Sequence, residues 1–245
     1  MFSLLLPADC RVCGAALRDI SRIPVCPACL RAPEPLTAEH FCVTCRTPFL
    51  NAYPLDAEGQ CAMCRNGLRG FDAAYCYGAY DGVLRKLIHV FKYGGVRPLA
   101  RPLGALLSLA LPREKRFDLV TPVPLYWPRR WRRGFNQSEL LAREVGRRCG
   151  MPVRRALRRV RATRSQAGLS NTRRRENVTA AFRARGTLAG AHVRLVDDGL
   201  TTGATAAAGA LALKRAGAAK VALLAVARVD RRLGAPAAHS LPEAV

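Results

Sequence analysis

The sequence predicts an α/β protein, a mostly parallel sheet flanked by helices, with a small metal-binding segment in front of it. Three observations carry this. Four Cys-x-x-Cys pairs fall within the first 64 residues. Beyond them, short apolar runs alternate with helical patterns, which argues for a parallel sheet covered on both faces. Near the C-terminus, an apolar run ends in two adjacent acids and a Thr-Gly turn, V-R-L-V-D-D-G-L-T-T-G-A-T at 193–205.

The cysteine pairs are Cys10/Cys13, Cys26/Cys29, Cys42/Cys45 and Cys61/Cys64, separated by 12, 12 and 15 residues. Two thiolates with two residues between them grip one side of a tetrahedral ion, and a second pair closes the other side. The spacing is that of zinc ribbons. A disulfide framework needs an oxidising compartment. The N-terminal apolar stretch is too short for a signal peptide and lacks a basic start, so the expected location is cytoplasmic. Nor does any apolar stretch approach the roughly 20 residues of a membrane span, and no membrane insertion is expected. Two structural zinc ions follow, with closed four-thiolate sites that leave no open catalytic position. Spacing favours pairing neighbouring Cys-x-x-Cys motifs but leaves an interleaved cross-brace open. His40 is surplus to a complete ligand set. Cys76 and Cys149 are expected as buried small hydrophobes.

After Cys64 the pattern changes. Residues 71–80 read as a strand. Asp81 can cap a helix whose apolar face is Val83, Leu84, Leu87, Ile88 and Phe91, stopped by K-Y-G-G at 92–95. A second helix spans about 98–111, a buried strand 117–123, a third helix 136–149 and a further strand 151–157. Residues 193–196 form the strand that feeds the acid pair. A small-residue helix covers 203–216 and a continuous apolar strand 221–229. The organisation expected is therefore 1–69 for the metal-binding unit, 70–230 for the sheet domain and 231–245 for a tail. Arg194, inside an apolar run, is expected at an edge or on a wet face.

In parallel α/β sheets, ligands bind beyond the C-terminal strand ends. The stretch after Asp197 and Asp198 lacks the Gly-Lys-Ser/Thr of a P-loop and the spaced glycines of a dinucleotide site. It offers hydroxyls at Thr201, Thr202 and Thr205, a flexible Gly203, and backbone N–H groups at a helix start, which suits a phosphate. The two carboxylates are acceptors, suited to sugar hydroxyls or to a bound Mg2+.

Charge supports a polyanionic ligand. The formal net charge is +23, with 35 arginines and 5 lysines. Between Arg113 and Arg185 there are 20 arginines and one lysine against five acids. Such a field attracts phosphorylated metabolites or nucleic acid.

The acid-acid-x-x-Thr-Thr-Gly string resembles the signature with which type I phosphoribosyltransferases bind phosphoribosyl pyrophosphate (PRPP). R-R-G-F-N-Q-S-E-L-L-A at 132–142, H-V-F-K-Y-G-G at 89–95, P-V-P at 122–124 and Q-A-G-L-S-N-T-R-R-R-E-N-V at 166–178 narrow the match. Together they resemble the ComF/GntX family, a double zinc ribbon joined to a type I phosphoribosyltransferase-like domain and related to competence. The resemblance spans nearly the whole chain. It implies that Asp197 and Asp198 contact the ribose hydroxyls and that Thr201, Thr202, Gly203, Ala204 and Thr205 hold the 5′-phosphate. Gly199 departs from the branched aliphatic residue usual after the acid pair and implies a looser turn. Pro124, Leu125, Arg129 and Arg130 fall in the pyrophosphate loop. Residues 163–178 are similar to the mobile hood, where Gln166, Arg174, Arg175 and Asn177 are the candidates. The implied cofactor is Mg2+ with PRPP. The implied chemistry is displacement of pyrophosphate at the anomeric carbon, with the acceptor unidentified and turnover left open. The other function class is a binding protein for single-stranded DNA, using arginines with Trp127, Trp131 and Phe135 for stacking; other competence proteins are possible partners.

Overall fold

The structure is a computed structural model. It describes residues 9–19, 21–66, 70–112, 117–126, 131, 133–160, 181–201 and 203–229. The elements are α1 Pro27–Arg31, β1 His40–Phe41, β2 Pro48–Phe49, α2 Ala62–Arg65, β3 Ala73–Ala79, α3 Gly82–Tyr93, α4 Ala100–Leu109, β4 Leu119–Pro122, α5 Gln137–Cys149, β5 Leu157–Arg159, β6 Phe182–Ala184, β7 His192–Leu200, α6 Ala204–Arg215 and β8 Lys220–Arg228. A 3-10 turn, Arg97–Leu99, leads into α4.

The central sheet has four strands in the order β3-β8-β7-β4, and every neighbouring pair is parallel. β8 lies inside the sheet, and Val221–Arg228 is buried along its whole length. That explains the unbroken apolar run, since a parallel strand covered on both faces needs no polar alternation. One face carries α3, α4 and α5, with Leu87, Ile88, Phe91, Leu103, Leu107, Leu141 and Val145 packed against Val120, Val196, Leu224 and Val226. On the other face lie α6 and the antiparallel β5–β6 pair. The small side chains of α6 let it lie close to the sheet. α4 and α5 also meet closely, because a Cβ at Gly104 would run into the Glu144 side chain.

Both outer strands are covered. Leu36 N–H donates to Tyr77 O at 2.7 Å, and Ala74 N–H donates to Thr44 O at 2.7 Å, so the cysteine-rich segment runs along β3. At the other side Val120 N–H donates to Pro152 O and Arg154 N–H to Val120 O, each at 2.9 Å. Pairing of this kind removes the open edges that invite strand addition. The cysteine-rich segment also reaches both faces. Cys42, Cys45 and Cys61 share an apolar cluster with α6 and the sheet, and Cys10, Val12, Val25 and Cys29 share one with α3 and α4.

Several elements differ from expectation. β7 does not stop at residue 196; it carries through the acids to Leu200, because β8 pairs with it as far as Leu200↔Arg228. The strand expected at 151–157 lies later, at Leu157–Arg159, with only an isolated bridge at Val153. Asp81 holds the N-cap position of α3 without a side-chain capping bond. Arg194 is not at an edge. It is 5% exposed on β7, inside the sheet, and its guanidinium lies 4.3 Å from the centre of the Phe117 ring. Cys149 is exposed rather than buried, while Cys76 is half-buried against the core. Its thiol is pushed up to about 11 by burial, against the pull of Arg228. Among the described residues, no helix is long and apolar enough to cross a membrane.

Candidate functional site

The acid pair lies at the C-terminal end of β7, between β4 and β8. Asp197 is half-buried and Asp198 is 9% exposed. Each has a dedicated partner from elsewhere in the chain. Ser138, in the first turn of α5, donates its hydroxyl to Asp197 Oδ1 at 3.0 Å. The Asp198 N–H donates to the same oxygen at 2.9 Å. Lys92, near the end of α3, places Nζ 2.6 Å from Asp198 Oδ1.

These contacts set the protonation behaviour. Burial, followed by the Asp198 carboxylate beside it, pushes the Asp197 carboxyl up to about 7, against Lys92, the Asp198 N–H and Ser138. Burial alone would lower the Lys92 ammonium, but the Asp198 carboxylate more than reverses this, and its pKa is raised. Lys92 is therefore a fixed cation, and the Asp197 carboxyl exchanges its proton near neutrality.

The R-R-G-F-N-Q-S stretch builds the support. Asn136 caps α5 by accepting from Ser138 N–H at 3.1 Å, and its amide donates to Val123 O at 3.1 Å. That second bond fixes the chain just before Pro124 and Leu125. Gln137, fully buried, donates to Lys92 O at 3.2 Å. Arg133 donates to the Tyr93 hydroxyl at 3.1 Å, and its guanidinium lies 4.7 Å from that ring's centre. Phe135 is 8% exposed and sits 5.8 Å from Phe91, centre to centre, so it belongs to the core and not to a stacking surface. The H-V-F-K-Y-G-G and R-R-G-F-N-Q-S stretches are thus one assembly around the acid pair.

Thr201 is exposed, Thr205 half-buried and Ala204 exposed at the first position of α6. Gly203 caps α6 with φ +79°, a left-handed conformation that a side chain would strain. Gly199 sits within β7 opposite Ala227 and is not in a turn. A Cβ there would meet only Ala227 O, at 3.8 Å, so the space accepts a side chain. Thr202, Arg129, Arg130, Arg174, Arg175, Gln166, Asn177 and Trp127, with the tail 231–245, lie outside the described residues.

Lys92 and Ser138 are the site residues that sequence reasoning passed over, although both stand inside motifs that it singled out. The arginine belt is also less available than its composition suggests. Arg143 and Arg155 both bind Glu139 Oε1, at 2.8 and 3.2 Å, and Arg147 and Arg148 both bind Glu144.

The cysteines fall into two sets, Cys10/Cys13/Cys26/Cys29 and Cys42/Cys45/Cys61/Cys64, each with all its sulfurs within 4.8 Å of one another. This is the pairing of neighbouring motifs. Cys13–Cys26 and Cys45–Cys61 are 3.7 Å apart, sulfur to sulfur. A tetrahedron with metal–sulfur bonds near ~2.3 Å has edges of about 3.8 Å, so each set fits one metal ion. A disulfide would need sulfurs about 2.05 Å apart. Backbone N–H groups of Cys26 and Cys61 point at Cys10 Sγ and Cys42 Sγ, at 3.3 and 3.4 Å, and orient the ligands. His40 stands in β1, outside both sets.

Comparison with known proteins adds a family. The chain is 33% identical over 233 residues to DNA utilization protein YhgH of Escherichia coli O157:H7, covering 92% of this chain and 99% of that one. The chain belongs to the ComF/GntX family. It is also 33% identical over 178 residues to Competence protein F of Haemophilus influenzae, covering 69% of this chain and 78% of that protein. Salmonella typhimurium YhgH is 32% identical over 232 residues, 92% of this chain and 99% of the relative. No protein-family model matches. Among solved structures, glutamine PRPP amidotransferase from B. subtilis, complexed with ADP and GMP, overlaps with a TM-score of 0.38 at 26% identity, over 52% of this chain and 26% of that one. The overlap is loose. For the ComF/GntX chain, the α/β class with its parallel sheet and the two N-terminal four-cysteine sets agree with the resemblance seen in sequence.

Proposed function

We propose that this ComF/GntX protein binds PRPP, or a related phosphoribosyl ligand, at the C-terminal end of its sheet, and that it serves DNA utilization in natural competence. The observation that carries the reading is the supported acid pair, Asp197 held by Ser138 and Asp198 by Lys92, next to a Thr-Gly turn that opens α6. Asp197 and Asp198 accept hydrogen bonds from the ribose 2′- and 3′-hydroxyls. Thr201, Thr202, Gly203, Ala204 and Thr205 take the 5′-phosphate through hydroxyls and helix-start N–H groups. Pro124, Leu125, Arg129 and Arg130 serve the diphosphate, and Arg174 and Arg175 neutralise it as it departs. The names of the relatives support the link to DNA utilization and competence.

The acid pair is a poor Mg2+ site. An ammonium already stands 2.6 Å from Asp198, and Mg2+ demands its own oxygen shell. The pair is therefore assigned to the sugar, and Mg2+ enters with the diphosphate. Each cysteine set holds one structural zinc ion, because four thiolates in a closed tetrahedron suit zinc.

Calorimetric titration with PRPP and Mg2+ tests the reading. Wild type binds, and Asp197→Asn/Asp198→Asn weakens binding by about a hundredfold, as expected when two carboxyl groups that accept from the ribose become amides with one weaker accepting oxygen each. Absence of wild-type binding overturns it. A metal assay well below two zinc ions per chain overturns the zinc assignment.

A second reading, binding of single-stranded DNA beside this site, is favoured by two exposed aromatic side chains. Trp131 is 88% and Tyr93 57% exposed, and Arg133 lies against the Tyr93 ring. Base stacking on such rings contributes about 1–3 kcal/mol per base. Loss of strand affinity in Tyr93→Ala, with PRPP affinity intact, is the expected result. Equal affinity in the variant contradicts this reading.

A further inference from the structure

The two cysteine sets differ in their surroundings. In the first, Cys13 is exposed and Cys26 half-buried. The second is walled in, with Cys42 and Cys45 0% exposed and in one apolar cluster with Leu195 and Leu223 of the sheet. A cation reaches it. Arg228, the last residue of β8, is 1% exposed. Its Nη1 donates to Cys45 O at 2.7 Å. Its Nη2 donates to the Thr47 hydroxyl and stands 3.9 Å from Cys45 Sγ. Thr47 Oγ1 is itself 2.8 Å from that sulfur.

Charge explains the placement. A divalent ion on four thiolates leaves a net charge of about −2, and a buried charge is tolerated only when it is paired and hydrogen-bonded. Arg228 supplies a counter-charge, and its bonds to Cys45 and Thr47 orient the ligand loop, as groups behind metal ligands do. A buried guanidinium in turn needs a partner of opposite charge. The loaded set and Arg228 need each other.

The main chain of Arg228 belongs to the ligand end of the sheet. It stands in register with Leu200 of β7, the residue before Thr201. Val229 N–H donates to Leu200 O at 3.0 Å, and Tyr80 N–H to Arg228 O at 2.6 Å. Three positions earlier on β8, Ala225 is opposite Asp197.

We infer that Arg228 is a positioning residue that acts as the buried counter-charge of the metal-loaded second cysteine set, and thereby fixes the end of β8 and the approach of β7 to the Thr201–Thr205 turn. Among the described residues the first set has a weaker tie, Lys86 Nζ to Val12 O at 3.4 Å, and it exchanges its ion independently. The inference needs a metal on the second set but does not need PRPP, so a failure of PRPP binding leaves it standing.

The test is zinc release from the full, zinc-loaded chain to a chromophoric chelator. Wild type releases two ions in two phases, and the fast phase is missing from Cys13→Ser. Arg228→Met speeds the slow phase at least tenfold, or yields protein with one zinc instead of two, and leaves the fast phase unchanged. Arg228→Lys restores much of the slow phase, which a requirement for bulk alone would not predict. Should Arg228→Met fail to fold, Thr47→Val removes the bridging hydroxyl and speeds the same phase to a smaller extent. Amide exchange at Val229 rises in the affected variant while that at Cys26 does not. A slow phase equal to wild type in Arg228→Met or Thr47→Val, or a single phase for both ions in wild type, overturns the inference. Unchanged exchange at Val229 overturns the tie to the turn.

Discussion

At the scale of the residue, Asp197 and Asp198 are distinct groups in spite of being neighbours. Asp198 is neutralised by Lys92, and breaking a largely buried ion pair leaves one charge without a partner. Lys92→Met is expected to destabilise the fold by on the order of 2–3 kcal/mol, and the Lys92→Met/Asp198→Asn double variant by less than the single change. Denaturant melts of the four proteins measure this; costs that simply add contradict the pairing. Asp197 predicts a pH dependence. Its folded value, up to about 7, lies above the unfolded carboxyl value near ~3.9, so the folded state holds a proton that the unfolded state releases. The stability tied to that proton is complete below the unfolded value and is lost as pH rises through the folded value. The stability of Asp197→Asn relative to wild type should therefore increase between about pH 4 and pH 7. A difference that stays flat contradicts the raised value.

At the scale of the element, the start of α5 does most to hold the site together. Asn136 caps the helix and also holds the chain before Pro124. Its replacement by Ala should cost about 1–2 kcal/mol, the cap together with a buried carbonyl left unpaired. Thermal melts check this, and a loss below a few tenths contradicts it. The long elements were legible in sequence for physical reasons. α3 and α5 show a strong apolar periodicity, and β8 is a continuous apolar run bounded by polar residues. β7 was misjudged in length, because Asp-Asp-Gly reads locally as a turn. Pairing with β8 keeps it extended, and the acids find partners 59 and 106 residues away in sequence, at Ser138 and Lys92. No local pattern carries that information. β5 lies later than its expected place and β6 has no signal of its own for the same reason, since three-residue strands are defined by their partner rather than by a period. Arg194 was misplaced because a buried arginine is rare, and its aromatic cover, Phe117, comes from a different part of the chain.

At the scale of the whole molecule, the cysteine-rich segment is part of the sheet's architecture. It covers β3, contributes to both apolar clusters and receives Arg228 from β8. The positive field is a second whole-molecule property. With a formal charge of +23, single-strand affinity should fall linearly in log–log terms with salt, with a slope of about 0.7 per phosphate contact. It should survive Asp198→Asn, since that pair is assigned to the sugar; a flat salt response contradicts a strand-binding role. The central claim is that the acid pair is a ribose site. A crystal structure of the wild-type protein with PRPP and Mg2+ tests it most directly. The account predicts ribose hydroxyls within about 3 Å of Asp197 and Asp198, with the 5′-phosphate over the Thr201–Thr205 turn. A phosphoribosyl ligand bound elsewhere on the chain, or a divalent ion seated between the two carboxylates with Lys92 displaced, would contradict it.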